Sequence, residues 1–583
     1  MNKSKSSSEA TANHYDVAIV GGGVGGIYSG WRLVTAKPGE SAGLKNGPGK
    51  NGKLSVAVFE GSDRIGGRLL SARPPSFSHK TTCEIGGMRY VSSQTLMRSL
   101  VENELKLPHY PQVVDQSSNI VYVRGKQLRF DQVQTPSALP YNLSWAESQY
   151  VSQNDPSGLL GWAVAKLLPG VLTFTGDALH TYLRDAVVDG TPLYQHGFWN
   201  LLARALSPEG YSLARTLVGY DCLGSNANAV DLISEYFDFT PGVTYSLLNQ
   251  GYDAVPWTLQ KQFEDAGGEL IKGAWLAGFD KTTLSDGTTG VVLQFADGHP
   301  TVTARAIILA MPRRSLELLR REGPVLDPSN TAVQKMIGSV EPIPLYKLFL
   351  AYEYPWWTAV GVKQGRSLTD IPVRQLYYWP VDPLAKTPPA TGKALLMAYD
   401  DATNVDFWAG LSAGKSKGKP SQFSRKGAPE LRMFESQQVT EQPASADEFT
   451  RRLHQNWKEH PAPHEMVMEM HRQLKQMHNI QYAPKPYDAA FMDWSVDPYG
   501  GGVHFWNRGY KSWEILEKIT QPVADFPCYI CGEAYSTNQT WAEGSLQTAE
   551  IVLHKLGLAK PGWITQNPKS VKAPVAKQKQ ASR

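Results

Sequence analysis

The chain has 583 residues, of which 42% are hydrophobic and 19% charged, a composition typical of globular proteins with several domain-sized units. Its net charge of +4 is too small to indicate nucleic acid or a membrane surface as a partner. No apolar run approaches the roughly 18 residues of a membrane helix, and the first thirteen residues lack the apolar core of a signal peptide. We therefore expect a cytoplasmic protein without a membrane or nucleic-acid partner.

The first predicted elements are a strand at 15–20, a glycine-rich turn and a helix that runs through residue 33. Gly21, Gly23 and Gly26 form G-x-G-x-x-G in this turn. The first glycine permits the turn, the second lets the backbone approach a pyrophosphate, and the third lets the helix pack on the strand. Because the free N–H groups at a helix start bind phosphates, the pattern predicts a dinucleotide site.

A second predicted strand, at 54–59, ends in Glu60, whose carboxylate is suited to accept hydrogen bonds from a ribose diol. Shortly after it, Gly66 and Gly67 permit close backbone approach, and Arg68 supplies a fixed positive charge for a diphosphate. The alternative interpretation is an ordinary glycine turn followed by surface charges.

The middle of the chain predicts helices and then short strands. Residues 155–236 have helical apolar spacing, strands follow near 301–310 and across 335–399, and the polar stretch 409–447 is interpreted as a mobile loop. Lys347 lies within one of these apolar strands. Because burying a lysine is costly, it lies either at an edge that faces water or in a functional site.

Near the end, a predicted strand at 528–530 precedes a helix at 541–556. Cys528 and Cys531 have the C-x-x-C spacing of a redox pair. In a buried strand, however, these two side chains point in opposite directions. We therefore expect two structural cysteines rather than a redox or metal site.

Several of these elements together resemble the flavin-containing amine oxidases, and the L-amino acid oxidases in particular. They are GGGVGG at 21–26, EGSDRIGGR at 60–68, GGMRY at 86–90, Gly532-Glu533, and TWAEGS at 540–545. The resemblance implies an α/β (α+β) fold with a Rossmann-like FAD-binding domain, a mixed-sheet substrate domain and a helical insertion. The implied segments are FAD-binding parts at 14–115, 241–330 and 496–560, the insertion at 116–240, the substrate domain at 331–495 with the loop 409–447, and disordered tails at 1–13 and 561–583.

The cofactor implied by the resemblance is non-covalent FAD. Some relatives attach the flavin to a cysteine in a stretch that matches 499–504, and this chain has no cysteine there. The implied cofactor-binding residues are Gly21, Gly23, Val24, Gly25, Gly26, Glu60, Gly61, Gly67, Arg68, Gly86, Gly87, Met88, Arg89, Leu276, Glu533, Trp541, Ala542 and Ser545.

The catalytic residues implied by the resemblance are Lys347, Arg89 and Tyr399. Lys347 matches the lysine that reaches flavin N5 through water, Arg89 the arginine that binds a substrate carboxylate, and Tyr399 a tyrosine that donates a further hydrogen bond. The implied reaction is hydride transfer from Cα of a free L-amino acid to N5, which yields a 2-oxo acid, ammonia and, with dioxygen, hydrogen peroxide. The alternative role for Arg89 is to bind the FAD diphosphate. We expect the enzyme to be a homodimer.

The helical insertion is expected to supply the pocket for the substrate side chain, with Trp541 also at the substrate. Its candidate carboxylates are Asp221, Glu235 and Asp238, and one that faces the pocket would select lysine or arginine. We choose Asp238, although each of the three is equally consistent with a solvated helix acid. The rival is an aromatic or broad substrate range, which is favoured by Phe198, Trp199, Tyr220 and Trp257.

Three other functions fit parts of the pattern. An amino-acid 2-monooxygenase shares the carboxylate clamp but releases an amide. An amine or polyamine oxidase does not need Arg89. A non-catalytic binding protein on the same fold lacks the flavin-side elements, whereas Lys347 and the Glu533–Trp541 segment are present here.

Overall fold

The structure is a computed structural model that describes residues 13–41, 53–75, 77, 81–155, 158–220, 226–238, 243–296, 298–379, 382, 389, 391–412, 432–436 and 447–564. Its strands are, in chain order, β1 Asn13–Val20, β2 Val56–Glu60, β3 Ser71–Ala72, β4 Cys83–Glu84, β5 Tyr90–Val91, β6 His109–Pro111, β7 Ile120–Val123, β8 Lys126–Arg129, β9 Val187–Val188, β10 Thr191–Pro192, β11 Tyr245–Leu248, β12 Glu269–Lys272, β13 Leu276–Thr283, β14 Thr289–Phe295, β15 Val302–Ala310, β16 Val340–Ile343, β17 Leu345–Tyr352, β18 Gly365–Thr369, β19 Gln375–Trp379, β20 Ala394–Asp401, β21 Asp488–Asp493, β22 Val503–Trp506 and β23 Cys528–Cys531.

Its α-helices are α1 Val24–Thr35, α2 Pro38–Ser41, α3 Thr95–Ser99, α4 Trp145–Gln153, α5 Leu159–Leu167, α6 Gly176–Asp185, α7 Phe198–Leu202, α8 Pro208–Val218, α9 Ala229–Asp238, α10 Ala254–Asp265, α11 Arg313–Glu317, α12 Gly323–Leu326, α13 Thr331–Ile337, α14 Thr403–Leu411, α15 Glu448–Lys458, α16 His464–Met477, α17 Ser512–Ile519 and α18 Ala542–Leu556. Within the described ranges, no helix combines the length and the apolar character that a bilayer span needs.

The first sheet has the order β12-β2-β1-β15, with parallel pairing throughout. The far side of β15 pairs with antiparallel β14 near its start and with parallel β23 near its end. Its strands are apolar and β-branched, and Ile19, Val58 and Ile308 are fully buried. Helices α1, α10 and α18 cover one face. Segments far apart in the chain therefore build one sheet.

The second sheet has the order β21-β17-β20-β19-β18-β7-β8, and only the β18–β7 pair is parallel in the described residues. Strand β17 is buried along its whole length. One face of the sheet packs against α16, and the other faces the large core that includes the helical insertion. The sheet therefore has one face available for a site.

Several predicted elements are present with small changes of boundary. The strands predicted at 15–20 and 54–59 are β1 and β2, and the helix predicted at 541–556 is α18. Cys528 and Cys531 lie in β23 and belong to different core clusters on opposite faces of the sheet, as predicted. The loop predicted at 409–447 is wrong at its start, because α14 extends through Leu411. Most of that loop, and most of both predicted tails, lie outside the described residues.

The β1–α1 turn provides a test of the fold. A Cβ added at Gly26 would lie 1.9 Å from the carbonyl oxygen of Gly21. We expect Gly26→Ala to lower the free energy of unfolding by about 3 kcal/mol, because a backbone atom cannot move aside as a side chain can. Gly39→Ala is the control, since a Cβ at this exposed helical position meets nothing within 4 Å. Urea unfolding of both variants measures the difference, and equal stabilities would contradict the packing described.

Candidate active site

A cavity of about 1570 Å³ lies between the two sheets. Its walls come from the β1–α1 turn, the segments 60–69 and 86–89, the start of β13, the face of β17 and β20, and the start of α18. Every predicted site residue lines it except Gly26 and Asp238. Gly26 packs against the carbonyl of Gly21, which fits the close helix–strand packing predicted for the third glycine. The side chain of Asp238, like all of Asp221, lies outside the described part of the chain.

Backbone groups form the end of the cavity near the β1–α1 turn. Gly21 has φ +109°, and a Cβ there would lie 2.3 Å from the oxygen of Ala310. Glu60 accepts hydrogen bonds from Gly22 N at 2.6 Å and from Ser62 N at 2.8 Å. The Glu60 carboxylate is thereby held at the carboxyl end of β2, where dinucleotide folds bind a ribose.

Arg68 does not extend a free guanidinium into the cavity. Its Nη1 donates to Gly502 O at 2.9 Å and forms an ion pair with Glu533 at 3.0 Å. Glu533 also accepts from His504 N at 2.9 Å and from Thr540 N at 2.8 Å. Burial alone would raise the pKa of the Glu533 carboxyl, but the charge of Arg68 and the hydrogen bonds lower it to about 2. The sequence had assigned Arg68 and Glu533 separately and missed that they pair.

Two helices begin at the cavity. α1 starts at Val24, and α18 starts at Ala542 with Trp541 as its N-cap residue. They approach so closely that a Cβ at Gly25 would lie 3.3 Å from Ser545 O. Each helix start presents unpaired N–H groups and a positive partial charge. This end of the cavity therefore suits an anion or an electron-rich ring.

Lys347 lies inside the second sheet and not at an edge. Strand β17 has neighbours on both sides, and the side chain is only 2% exposed, so the solvent-edge interpretation is wrong. Its Nζ donates to the carbonyl oxygens of Glu84 at 2.9 Å and Gly86 at 2.5 Å, and it lies 4.9 Å from the ring centre of Tyr399. Burial lowers the pKa of the Lys347 ammonium below its usual range.

Arg89 is buried in the cavity wall with an aromatic neighbour. Its Nη1 donates to Gln112 Oε1 at 2.8 Å, and its guanidinium carbon lies 4.0 Å from the ring centre of Tyr245. Among the described residues, no acidic side chain forms an ion pair with it. No sequence motif pointed to these two residues: Gln112 directly follows β6, and Tyr245 is the first residue of β11.

Around the predicted substrate end, Glu235 lines the cavity and accepts hydrogen bonds from Thr540 Oγ1 at 3.2 Å and Trp541 Nε1 at 3.3 Å. Phe198 and Tyr220 also line it, and the ring of Tyr220 meets that of Tyr399 edge to face at 5.5 Å. Trp199 and Trp257 do not line it and pack elsewhere.

The comparisons with known proteins agree with this geometry. A family model for flavin containing amine oxidoreductases matches residues 49–464. The chain belongs to this family. It is 24% identical to achacin from Lissachatina fulica, over 93% of the chain and 92% of that protein, and 24% identical to a mouse (Mus musculus) L-amino-acid oxidase, over 70% of the chain and 57% of that protein.

Solved structures show the same fold. Putrescine oxidase bound to putrescine matches with a TM-score of 0.60 and 14% identity, over 93% of the chain and 99% of that chain. Cyclohexylamine oxidase from Brevibacterium oxydans matches with a TM-score of 0.59 and 18% identity, over 93% and 98%. This amine oxidoreductase therefore has the architecture that the resemblance implied, and it is a flavin-dependent oxidoreductase acting on CH–NH₂ groups.

The cavity fits the family's cofactor, non-covalent FAD. Gly23 lines the cavity, and a Cβ there would meet only Gly67 Cα, at 3.9 Å, so the glycine leaves open space at the wall. The two helix starts suit a diphosphate and an electron-rich ring. No cysteine occurs among the described lining residues, so no thiol is placed for a covalent bond. The cavity thus offers FAD a fitting shape, backbone N–H groups and a small number of charges.

The Glu533 pair of this amine oxidoreductase predicts a pH-dependent loss of stability. Because the folded-state pKa of about 2 is below the ordinary 4.5, the ionised carboxylate stabilises the fold above pH 4.5, and that stabilisation is lost as the pH falls toward 2. We expect Glu533→Gln to be less stable at pH 7 by about 3 kcal/mol. The difference from the unmodified protein should narrow below pH 4.5.

Urea unfolding of the apoprotein at several pH values between 7 and 3 measures this effect. Glu264→Gln is the control, because Glu264 is exposed on α10 and such changes alter stability by at most about 0.5 kcal/mol. A stability difference for Glu533→Gln that stays constant over the whole pH range would be evidence against the buried pair.

Proposed function

We propose that this chain is an FAD-dependent L-amino acid oxidase that converts a free L-amino acid and dioxygen to a 2-oxo acid, ammonia and hydrogen peroxide. The observation that carries the proposal is Arg89, a buried cavity-lining cation for which the described residues provide no acidic partner. An unpaired buried charge is costly. A substrate α-carboxylate supplies the missing counter-ion, whereas a simple amine has none.

The surroundings of Arg89 suit carboxylate binding. Gln112 fixes one nitrogen and the ring of Tyr245 supports the guanidinium face, so the remaining N–H groups are held in a rigid fork. A fixed guanidinium donates two parallel hydrogen bonds to a carboxylate. The other neighbours of Arg89 include Tyr377, Arg366 and Tyr220, and the ring of Tyr220 lies against that of Tyr399 in the cavity wall. These neighbours favour the substrate role over the alternative of binding the FAD diphosphate.

Lys347 and Tyr399 have complementary tasks in the proposed reaction. Bound FAD supplies the hydride acceptor for the α-C–H bond. Tyr399 lies beside Lys347 and provides a hydroxyl for the substrate carboxylate, so that clamp and tyrosine together orient Cα. Because burial lowers the pKa of Lys347, its amine exchanges a proton near neutral pH and can hold a water at the reacting end.

The position of Glu235 favours a substrate with a cationic side chain, lysine or arginine. Its carboxylate lines the cavity and is oriented by Thr540 and Trp541 at the start of α18. We choose it in place of Asp238, whose side chain lies outside the described residues. The rival is an aromatic or broad range, supported by the lining rings of Phe198 and Tyr220.

An amino-acid 2-monooxygenase is the second candidate, because it needs the same clamp. Product analysis separates the two reactions: a 2-oxo acid with peroxide supports the oxidase, and an amide with carbon dioxide supports the monooxygenase. Dioxygen as the acceptor and a homodimeric state remain predictions.

We expect Arg89→Ala to lower kcat/KM for the preferred L-amino acid about 100-fold, since a charged hydrogen bond of up to about 3 kcal/mol is lost. Turnover of the matching decarboxylated amine should change little. Flavin absorbance of the purified variant checks that FAD is retained. The control is Arg98→Ala, because Arg98 pairs with Glu102 outside the cavity. Equal loss on acid and amine, or loss of FAD, would assign Arg89 to the cofactor.

We expect Glu235→Gln to lower kcat/KM for lysine and arginine at least tenfold relative to leucine or phenylalanine. The reason is that a charged hydrogen bond to the substrate side chain is worth about 1.5–3 kcal/mol. A peroxide assay against the L-amino acids measures the ratio, with Glu264→Gln as the control. An unchanged ratio would favour the aromatic or broad range.

A further inference from the structure

Trp275 is a large apolar side chain that is 38% exposed although its ring lines the cavity. It lies between β12 and β13, directly before Leu276. An indole face left open at a cavity wall is unfavourable in water, and exposed apolar surface of this kind indicates a binding surface. Neither the glycine motifs nor the family resemblance had pointed to this residue.

The position of the indole is fixed by its surroundings. The residue before Trp275 is held by a hydrogen bond from Ala274 N to Glu60 O at 2.9 Å. The carbonyl oxygen of Trp275 accepts a hydrogen bond from Ala296 N at 2.8 Å. The ring lies against Gly61, where an added Cβ would come within 2.6 Å of its Cε3. The missing side chain at position 61 therefore makes the room that the indole occupies.

This arrangement places a flat aromatic surface against Gly61, the residue that follows Glu60. In dinucleotide folds the carboxyl end of the second strand receives the ribose of the adenosine half. Aromatic side chains bind nucleobases by stacking, and the interaction does not depend on a particular base. The Glu60 carboxylate is held in place by hydrogen bonds that Gly22 N and Ser62 N donate to it.

We infer that Trp275 packs against the adenosine half of FAD and thereby makes the protein select FAD over FMN, which lacks that half. The inference depends on FAD binding and not on the amino-acid substrate. Trp275 would then be a determinant of cofactor retention in the part of the cavity wall formed with Gly61.

The test compares three ligands on apoprotein: FAD, FMN and ADP, which carries the adenosine half alone. Dissociation constants come from quenching of flavin fluorescence, and for ADP from its competition with FAD. For Trp275→Ala we expect the FAD and ADP constants to rise about tenfold and the FMN constant to stay unchanged. Trp275→Phe, which keeps a ring, should retain more FAD and ADP affinity than Trp275→Leu.

Trp145→Ala is the matched control, because Trp145 is 79% exposed and does not line the cavity. Unchanged affinity for FAD and ADP in Trp275→Ala, or an equal loss for FMN and FAD, would overturn the inference. If the alanine variant does not fold, the comparison of the phenylalanine and leucine variants decides the question. The test measures ligand binding and not turnover. Its result therefore does not depend on whether the protein is an amino-acid oxidase.

Discussion

The hydrogen bonds from Lys347 to the carbonyl oxygens of Glu84 and Gly86 are the contact on which the geometry of the cavity depends. They join the face of the second sheet to a segment that continues directly into Met88 and Arg89. Because Lys347 also lies against Tyr399, its side-chain nitrogen connects the segment that leads into Arg89 with this tyrosine. If the N–H groups of this lysine donated to side chains instead of carbonyl oxygens, they could not hold a backbone segment in place.

The buried groups around this contact differ in how firmly they hold a charge, and the nearby guanidinium of Arg366 is already paired with Asp115. Burial raises the pKa of the Glu84 carboxyl, which accepts hydrogen bonds from Ser71 Oγ at 2.6 Å and Tyr252 N at 3.0 Å. Burial lowers the pKa of Lys347, so both shifts favour the neutral forms. A guanidinium does not respond in the same way, because it stays charged at any ordinary pH. Arg89 therefore provides the fixed charge there, while Lys347 remains able to exchange a proton.

The features that the sequence predicted well are those that local rules determine. A glycine turn between a strand and a helix, an apolar strand containing Lys347 and a helix near 541–556 follow from patterns within about ten residues. The partners could not be predicted, because they join residues far apart: Arg68 pairs with Glu533, and Glu235 meets Trp541 from 306 positions away. The edge interpretation of Lys347 failed for the same reason, since the flanking strand β21 comes more than a hundred residues later.

The two ends of the cavity are lined by different kinds of groups. For this reason the substrate is harder to predict from the sequence than the cofactor. The proposed cofactor end consists mainly of backbone N–H groups, glycines and helix starts, which belong to the frame of the fold. The substrate end depends on side chains such as Glu235 that the helical insertion places against the start of α18. A carboxylate there is stabilised by the positive partial charge of the helix start, so the fold favours an acid at that point. Substitutions in the insertion can therefore change the charge of the pocket while the frame that holds the flavin stays the same.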